Sequence, residues 1–243
     1  HRGARWGQFA RLRERHQYAV IEMGMNHAGE IGYLTRLARP TLALITNAGA
    51  AHVEGLGSVE AVARAKGEIF EGLDQQGIAV INADDPYASV WRGLAGDRKV
   101  VDFGLEEKAA VRARYQSGSF TSRVTLLLPD GTQEVELKVP GEHNVANAVA
   151  AAAVAVAMGI KIATIASGLS VFIGVKGRMQ KKQGLHGSTL IDDTYNANPD
   201  SVRAALAVLA KAVGRKILVL GDMGELGAAA RDLHERIGAE ARA

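Results

Sequence analysis

The sequence predicts an α/β fold in which a mostly parallel sheet is flanked by helices. Short apolar runs of strand length alternate along the chain with longer segments that show helical periodicity, which is typical of strands alternating with helices. Several of the short runs are apolar throughout, as expected for strands that are buried on both faces. The 243 residues suffice for one large or two moderate domains.

Each predicted element follows from its local pattern. The strand candidates are short apolar runs at 18–22, 42–47, 78–82, 99–103, 188–192 and 216–220. The helix candidates have apolar residues at helical spacing, at 29–38, 58–73, 85–94, 144–158, 161–171, 199–212 and 228–242. The helix from 199 has the clearest start, because Asn198 suits an N-cap and Pro199 suits the first helical position.

Residues 111–139 interrupt the βα alternation. The runs Val124–Leu128 and Val135–Val139 flank the sequence Pro-Asp-Gly-Thr at 129–132, which is typical of a β-hairpin turn. We therefore expect a small antiparallel subsheet beside the main sheet.

A domain boundary is predicted near Gly174. The sequence Gly-Val-Lys-Gly at 174–177 has the composition of a linker, and the βα alternation resumes after it. Two strands and two helices are too few for a doubly wound domain. We therefore expect a first domain at 1–174 and the start of a second, truncated α/β domain at 175–243.

Composition narrows the classes of function. The chain has no cysteine, which excludes disulfides, thiolate metal sites and a cysteine nucleophile. Its net charge is +3, and we interpret the cluster of arginines near the amino end as a solvated helix face and not as a nucleic-acid surface. No apolar run approaches the roughly 18–20 residues of a membrane helix. We expect a cytoplasmic protein that binds neither nucleic acid nor membrane.

Three polar residues occupy positions where α/β proteins place their chemistry. Glu22 ends one predicted strand, His52 follows another after a short loop, and Lys66 lies on the apolar face of a predicted helix. Ligands bind at the carboxyl ends of parallel strands, and carboxylate oxygens suit Mg2+. The pattern indicates a metal and phosphate site. The alternative for Glu22 and His52 is ordinary loop and capping chemistry.

Lys66 has two functional readings and one structural one. An inward lysine could contact phosphate, or it could react with CO2 to give a carbamate that ligates a second metal ion. Its stem could also simply cover apolar surface while the amine reaches water.

Polar residues further along the chain are candidates for nucleotide binding. Asn144 and Asn147 share one face of a helix start and could contact the edge of a base, or one could be an N-cap. Arg178 could bind a phosphate, and Asp193 could accept hydrogen bonds from ribose hydroxyls or serve as a loop residue. The glycine-containing loop at 221–227 matches neither the dinucleotide fingerprint nor the P-loop pattern, and the chain contains no G-x-x-x-x-G-K-[ST].

Taken together, these motifs resemble the Mur ligases, the ATP-dependent amide-forming enzymes of peptidoglycan precursor synthesis. The resemblance runs from about Tyr18 to about Gly238. It rests on six segments in the family's order, VIEMGMNHAGEI at 20–31, AAHVEGLGS at 50–58, AKGEIF at 65–70, PGEHNVAN at 140–147, DDTYNANP at 192–199 and GDMGELG at 221–227. The first and the last two are similar to the members that add D-alanyl-D-alanine to UDP-N-acetylmuramoyl-tripeptide.

The resemblance implies a role for each candidate residue. Glu22 and His52 correspond to magnesium ligands, and Lys66 to a lysine that family members carry as a carbamate. The nucleotide set comprises Asn144 and Asn147 at the adenine, Arg178 at the ATP phosphates and Asp193 at the ribose. Asn196 and Asn198 would face the substrates. The domain from 175 would be the start of a Rossmann-like C-terminal domain, joined by a hinge near Gly174.

The resemblance also implies what the chain lacks. The family's P-loop and N-terminal domain are absent, as is most of the C-terminal domain. We expect the parent protein to be a monomeric ligase that uses ATP and Mg2+, and this chain alone to be inactive. The alternatives are a Mur or folylpolyglutamate-type ligase with another acceptor, and a non-catalytic nucleotide-binding module.

Overall fold

The structure is a computed structural model that describes residues 12–49, 53–106, 108–224 and 226–242. The chain divides into two compact units. The first holds the described residues through Ala79 together with Tyr87–Val100, and the second holds Val80–Pro86 together with the residues from Val101 onward.

The first unit is mainly helical. Its elements are α1 (Glu30–Ala38), β1 (Leu42–Ile45), α2 (Val53–Leu56), α3 (Val59–Gly67), a 3-10 helix (Glu68–Gly72) and α4 (Ala88–Ala95). The indole of Trp91 is fully buried, and its Nε1 donates a hydrogen bond to the carbonyl oxygen of Ala63 at 2.8 Å. This contact joins α4 to α3 inside the core.

Six strands form one sheet in sequence order, β1, β2 (Ile78–Asn82), β3 (Lys99–Gly104), β4 (Val111–Ser117), β5 (Ser122–Leu128) and β6 (Gly131–Leu137). The sheet is mostly parallel, as predicted. β3 pairs with β4 in parallel, whereas β4, β5 and β6 are antiparallel to one another.

The predicted hairpin is confirmed, with Leu128 opposite Gly131 across the turn. It extends the main sheet through β4 instead of lying beside it. The sequence could not show this, because the pairing of β3 with β4 joins segments that have no turn signal between them.

Helices α5 (Glu142–Ala157) and α6 (Ile162–Val171) follow the hairpin. α5 contacts β4 and β5, and α6 contacts β6. The alanine side chains of α5 allow this close packing, and Ala152 and Ala153 are fully buried. Within the described ranges, no helix is both long and apolar enough to span a bilayer.

The remaining elements are β7 (Gln180–Gln183), a 3-10 helix (Leu185–Gly187), β8 (Thr189–Asp192), α7 (Pro199–Ala210), a 3-10 helix (Gly227–Ala229) and α8 (Ala230–Glu240). β7 and β8 form a two-stranded antiparallel sheet. α7 and α8 share a small core of Val202, Met223 and Ile237.

Two strand predictions were wrong. Residues 18–22 and 216–220 are not strands in the structure, and Val20 and Val219 are 98% and 91% exposed. An apolar run becomes a strand only where a neighbouring strand pairs with its backbone groups. Neither segment has such a neighbour in the described part of the chain.

Candidate functional site

Lys66 lies at the end of α3, and its amine reaches the carboxyl end of β1. The helix begins after Ser58, whose hydroxyl accepts a hydrogen bond from the Ala61 N–H at 3.1 Å. The half-buried Lys66 donates from Nζ to the carbonyl oxygens of Asn47 at 2.8 Å and Ala48 at 2.6 Å. The prediction that Lys66 points inward is confirmed, and the carbonyl oxygens at the end of β1 surround its amine.

Gly49 shapes the loop beside this amine. Its φ of +66° lies in the left-handed region, which glycine adopts without strain. A Cβ at this position would lie 3.0 Å from Asn47 Oδ1 and 4.0 Å from Lys66 Nζ. Any larger residue would therefore crowd the turn that follows β1. The predicted ligand His52, three residues further along the sequence, lies outside the described residues.

The structure describes two of the three residues predicted to form the metal site, Glu22 and Lys66, whereas His52 lies outside the described residues. Glu22 is exposed, and among the described residues it has no hydrogen-bond or ion-pair partner. Within those same ranges no group of three or more histidine, cysteine, aspartate or glutamate side chains is placed to hold a metal ion. The unmodified amine of Lys66 donates hydrogen bonds, and only its carbamate would present an oxygen to a metal ion.

The loop that follows Glu22 is well anchored. Met25 is 2% exposed and packs with Ile31, Val62 and Ala65. The Glu30 carboxylate accepts hydrogen bonds from the backbone N–H of Asn26 at 2.8 Å and, more weakly, of His27 at 3.4 Å. These hydrogen bonds lower the pKa of Glu30, and the bond from Asn26 has the largest effect.

The start of α5 carries two of the predicted nucleotide residues. Gly141 precedes the helix with a φ of +92°. Asn144 is half-buried, and its Nδ2 donates to the carbonyl oxygen of Pro140 at 2.7 Å, whereas Asn147 is exposed. The hydroxyl of Tyr115 on β4 donates a short hydrogen bond to Glu142, which anchors this helix start to the sheet.

His143 is a site candidate that the sequence reasoning missed. It is half-buried beside Asn144, and a Cβ on Gly141 would lie 2.5 Å from its ring and 3.2 Å from Val208. Burial lowers the pKa of His143, while the charges of Asp193 and Glu142 act against that shift. The available signal was its position directly before the asparagine pair.

The structure brings Arg178 and Asp193 together. Asp193 Oδ1 accepts the Met179 N–H at 3.0 Å, and the Tyr195 N–H donates to the carbonyl oxygen of Gly177 at 3.0 Å. The guanidinium of Arg178 lies 4.2 Å from the centroid of the Tyr195 ring. Two adjacent loops therefore present a cation, a carboxylate and an exposed aromatic ring side by side.

The two predicted substrate asparagines differ. Asn196 is exposed, and its Oδ1 accepts the Ala197 N–H at 2.9 Å. Asn198 is the N-cap of α7: its Oδ1 accepts the Ser201 N–H at 2.9 Å, and Ser201 Oγ accepts the Asn198 N–H at 3.0 Å. The predicted capping role of Asn198 is confirmed, and its Oδ1 is engaged in the cap.

The loop at 221–227 is held by a histidine that the sequence reasoning did not single out. The Met223 N–H donates to His234 Nε2 at 2.9 Å, and His234 Nδ1 lies 2.7 Å from the carbonyl oxygen of Ala230. Because Nε2 accepts, the ring proton belongs on Nδ1. His234 lies on α8, so the bond fixes the loop to that helix.

Comparison with known families matches two domains to this chain. The Mur ligase middle domain matches residues 7–155. The domain described as "Mur ligase, glutamate ligase domain" matches residues 177–243.

A curated relative is the UDP-N-acetylmuramoyl-tripeptide–D-alanyl-D-alanine ligase of Escherichia coli. It is 43% identical over 235 residues, which is 96% of this chain and 52% of the relative. The enzyme of the same name from Bacillus subtilis is 36% identical over 93% of this chain and 49% of the relative. The chain spans about half the length of the curated relatives that it matches.

Solved structures agree with these sequence matches. MurF from Acinetobacter baumannii superposes with a TM-score of 0.90 at 39% identity, covering 95% of this chain and 50% of that one. MurF ligase from Thermotoga maritima in complex with ADP superposes with a TM-score of 0.77 at 27% identity. This match covers 87% of this chain and 49% of that one. Since the middle-domain match alone covers more than half of its residues, the chain belongs to the Mur ligase family.

Proposed function

We propose that this chain is the central part of an ATP-dependent ligase that joins D-alanyl-D-alanine to UDP-N-acetylmuramoyl-tripeptide. The observation that carries the proposal is the 43% identity to the Escherichia coli enzyme of that name across 96% of the chain. The reaction supplies a peptidoglycan precursor. Because it consumes ATP and nucleotide-linked substrates, we place it in the cytoplasm, in a monomeric enzyme that needs neither nucleic acid nor membrane.

The proposed chemistry has two steps. A carboxylate oxygen of the tripeptide attacks the γ-phosphorus of ATP, which gives an acyl phosphate and releases ADP. The amine of the dipeptide then attacks the acyl carbon, loses a proton and expels phosphate as the amide forms. Both steps bring anionic groups together, so positive charge must be placed around the phosphates.

The proposed metal site combines oxygen donors with one imidazole nitrogen. We assign Glu22 and His52 as Mg2+ ligands, and the carboxylate of Glu22 has the chemistry that this ion prefers. Magnesium bound there would neutralise charge on the triphosphate. Lys66 would complete the site as a carbamate. A carbamate nitrogen keeps one N–H, so one of the two bonds to Asn47 and Ala48 could persist after modification.

The proposed nucleotide site uses the second set of residues. We assign Asn144 and Asn147 to the adenine, Arg178 to the phosphates and Asp193 to the ribose hydroxyls. The exposed guanidinium of Arg178 supports its assignment, because it rests on Tyr195 and has no carboxylate partner within the described residues. Asn196 is the better candidate to face the acceptor, since Asn198 caps α7.

Two further proposals concern organisation. We place the boundary between the two family domains, which differ from the two compact units of the fold, at residue 174, with 1–174 central and 175–243 the start of the C-terminal domain. This agrees with the family matches, which leave the residues between 155 and 177 unassigned.

Since the chain spans half of its relatives and has no P-loop sequence, we expect the 243 residues alone to be inactive.

The test is an acceptor-specificity assay on the protein encoded by the complete reading frame. Phosphate release is followed with UDP-N-acetylmuramoyl-tripeptide, ATP and Mg2+, with D-alanyl-D-alanine, diaminopimelate or glutamate as the acceptor. The proposal requires release only with the dipeptide. Turnover with another acceptor instead would indicate a different ligase of the family, and nucleotide binding without turnover would indicate a non-catalytic module.

A further inference from the structure

Glu68 caps a helix that lies far from it in sequence. Its Oε1 accepts the Gly29 N–H at 2.7 Å, and its Oε2 accepts the Gly32 N–H at 3.0 Å. These N–H groups belong to the first turn of α1, where a helix cannot satisfy its own donors. Gly29 is the N-cap residue and has no side chain to do so. The Glu68 carboxylate therefore replaces the missing cap and also complements the helix dipole.

The segment before α1 is held against the same region of the fold. Met25 packs with Val62 and Ala65 of α3. The carbonyl oxygen of Asn26 would lie only 2.5 Å from a Cβ on Gly55, so this backbone approach requires glycine. The loop from Met25 to Gly29 is therefore docked on α2 and α3, and the Glu68 bonds hold its far end.

Glu68 lies close in sequence to Lys66, so its cap connects two parts of the proposed site. Glu68 follows Lys66 by two residues, at the point where α3 passes into the 3-10 helix. The loop that it holds begins at Met25, three residues after Glu22. We propose that Glu68 is a positioning residue that fixes the segment carrying Glu22 to the helix carrying Lys66. This inference rests on the proposed function, in which those two residues act at one metal and phosphate site.

The cap also bears on whether the amino end of α1 can bind an anion. A free helix start attracts anions, and a family that binds phosphates could use it in that way. Here the two carboxylate oxygens of Glu68 accept from two of these donors, the N–H groups of Gly29 and Gly32. These two N–H groups therefore serve the scaffold and are not available to the substrate's phosphates.

Glu71 provides a matched control. It lies on the same 3-10 helix and forms an ion pair with Arg36 of the same helix α1. The side chains of this pair are 57% and 48% exposed, for Arg36 and Glu71 respectively. Glu71→Gln therefore removes one carboxylate charge between the same two elements and leaves the amides of Gly29 and Gly32 capped.

The experiment compares Glu68→Gln, Glu68→Ala and Glu71→Gln in the protein from the complete reading frame. Hydrogen exchange of a peptide that covers 26–33 is measured first, without substrates. Glu68→Gln keeps one acceptor oxygen and should accelerate exchange there by roughly tenfold, and Glu68→Ala by more, whereas Glu71→Gln should leave it unchanged. Unchanged exchange in both Glu68 variants would show that the cap is unimportant and would overturn the inference.

The second readout is the Mg2+ concentration that gives half-maximal turnover. A merely destabilised protein would lose maximal rate and keep this concentration, whereas a displaced Glu22 segment should raise it severalfold in Glu68→Gln and not in Glu71→Gln. Equal values in the two variants would refute the positioning role. Failure of the proposed function is recognised separately, because the wild-type protein would then show no turnover, and the positioning role would fall with it.

Discussion

The amine of Lys66 lies 2.8 Å from the carbonyl oxygen of Asn47, which ties the last turn of α3 to the carboxyl end of β1. A second bond, to Ala48 at 2.6 Å, closes the contact. A half-buried lysine is stable here because these carbonyl dipoles replace part of its hydration. The same geometry holds the amine at the edge of the sheet where α/β proteins bind their ligands.

Replacing Lys66 with methionine should weaken the fold moderately. The Lys66→Met side chain has similar length and lacks a donor, so both hydrogen bonds are lost. We expect the free energy of unfolding to fall by about 1–3 kcal/mol, as for the loss of partners at a partly buried site. Urea denaturation measures this, with Lys138→Met at an exposed position as the control. A stability equal to that of the wild type would contradict the structural role of the amine.

The proposed carbamate of Lys66 makes activity depend on CO2. Protein depleted of CO2 at mildly acidic pH should turn over slowly and recover when bicarbonate is added. Lys66→Arg keeps the positive charge but has no amine that can form the carbamate. Bicarbonate should therefore not restore the activity of this variant. Full activity of the depleted wild-type protein, or an active Lys66→Arg variant, would remove the carbamate from the account.

Asn198 separates a structural role from a substrate role. Asn198→Ala removes the cap of α7 and should lower the free energy of unfolding by about 1 kcal/mol. Asn198→Asp keeps a capping oxygen and should retain most of that stability. If Asn198 acts only as a cap, both variants keep the KM for the dipeptide. A raised KM in a stable Asn198→Asp protein would assign it to the acceptor site.

His143 should respond to the charge of Asp193. Burial lowers the pKa of His143, and the Asp193 carboxylate opposes the shift. Asp193→Asn should therefore lower the pKa further, which an NMR titration of the imidazole can follow. The neutral form is favoured in the folded protein, so this contribution to stability is present above the ordinary pKa of histidine and is lost as the pH falls below it. A pKa that rises in Asp193→Asn would contradict the assigned contact.

Much of the fold could be predicted because its signals are local. The hairpin at Leu128–Gly131 follows from its turn residues, and the start of α7 from Asn198 and Pro199. The strand predictions at 18–22 and 216–220 failed because pairing is not local. The composition of an apolar run does not indicate whether a neighbouring strand is present to pair with it. In both segments valine side chains are exposed.

The site was predictable in residue type and less so in arrangement. Periodicity placed Lys66 inward, but no pattern indicated that Glu68 would cap a helix 36 residues earlier. Such a contact depends on how two helices pack. His143 and His234 were missed for the same reason, because their partners come from other elements or loops.

The most direct test of the account is phosphate release by the protein from the complete reading frame, with ATP, Mg2+ and UDP-N-acetylmuramoyl-tripeptide, in the presence and absence of D-alanyl-D-alanine. The account predicts sustained release only when the dipeptide is present, together with one new amide bond per phosphate by mass spectrometry. Phosphate release that is independent of the dipeptide, or no release with all substrates present, would contradict it.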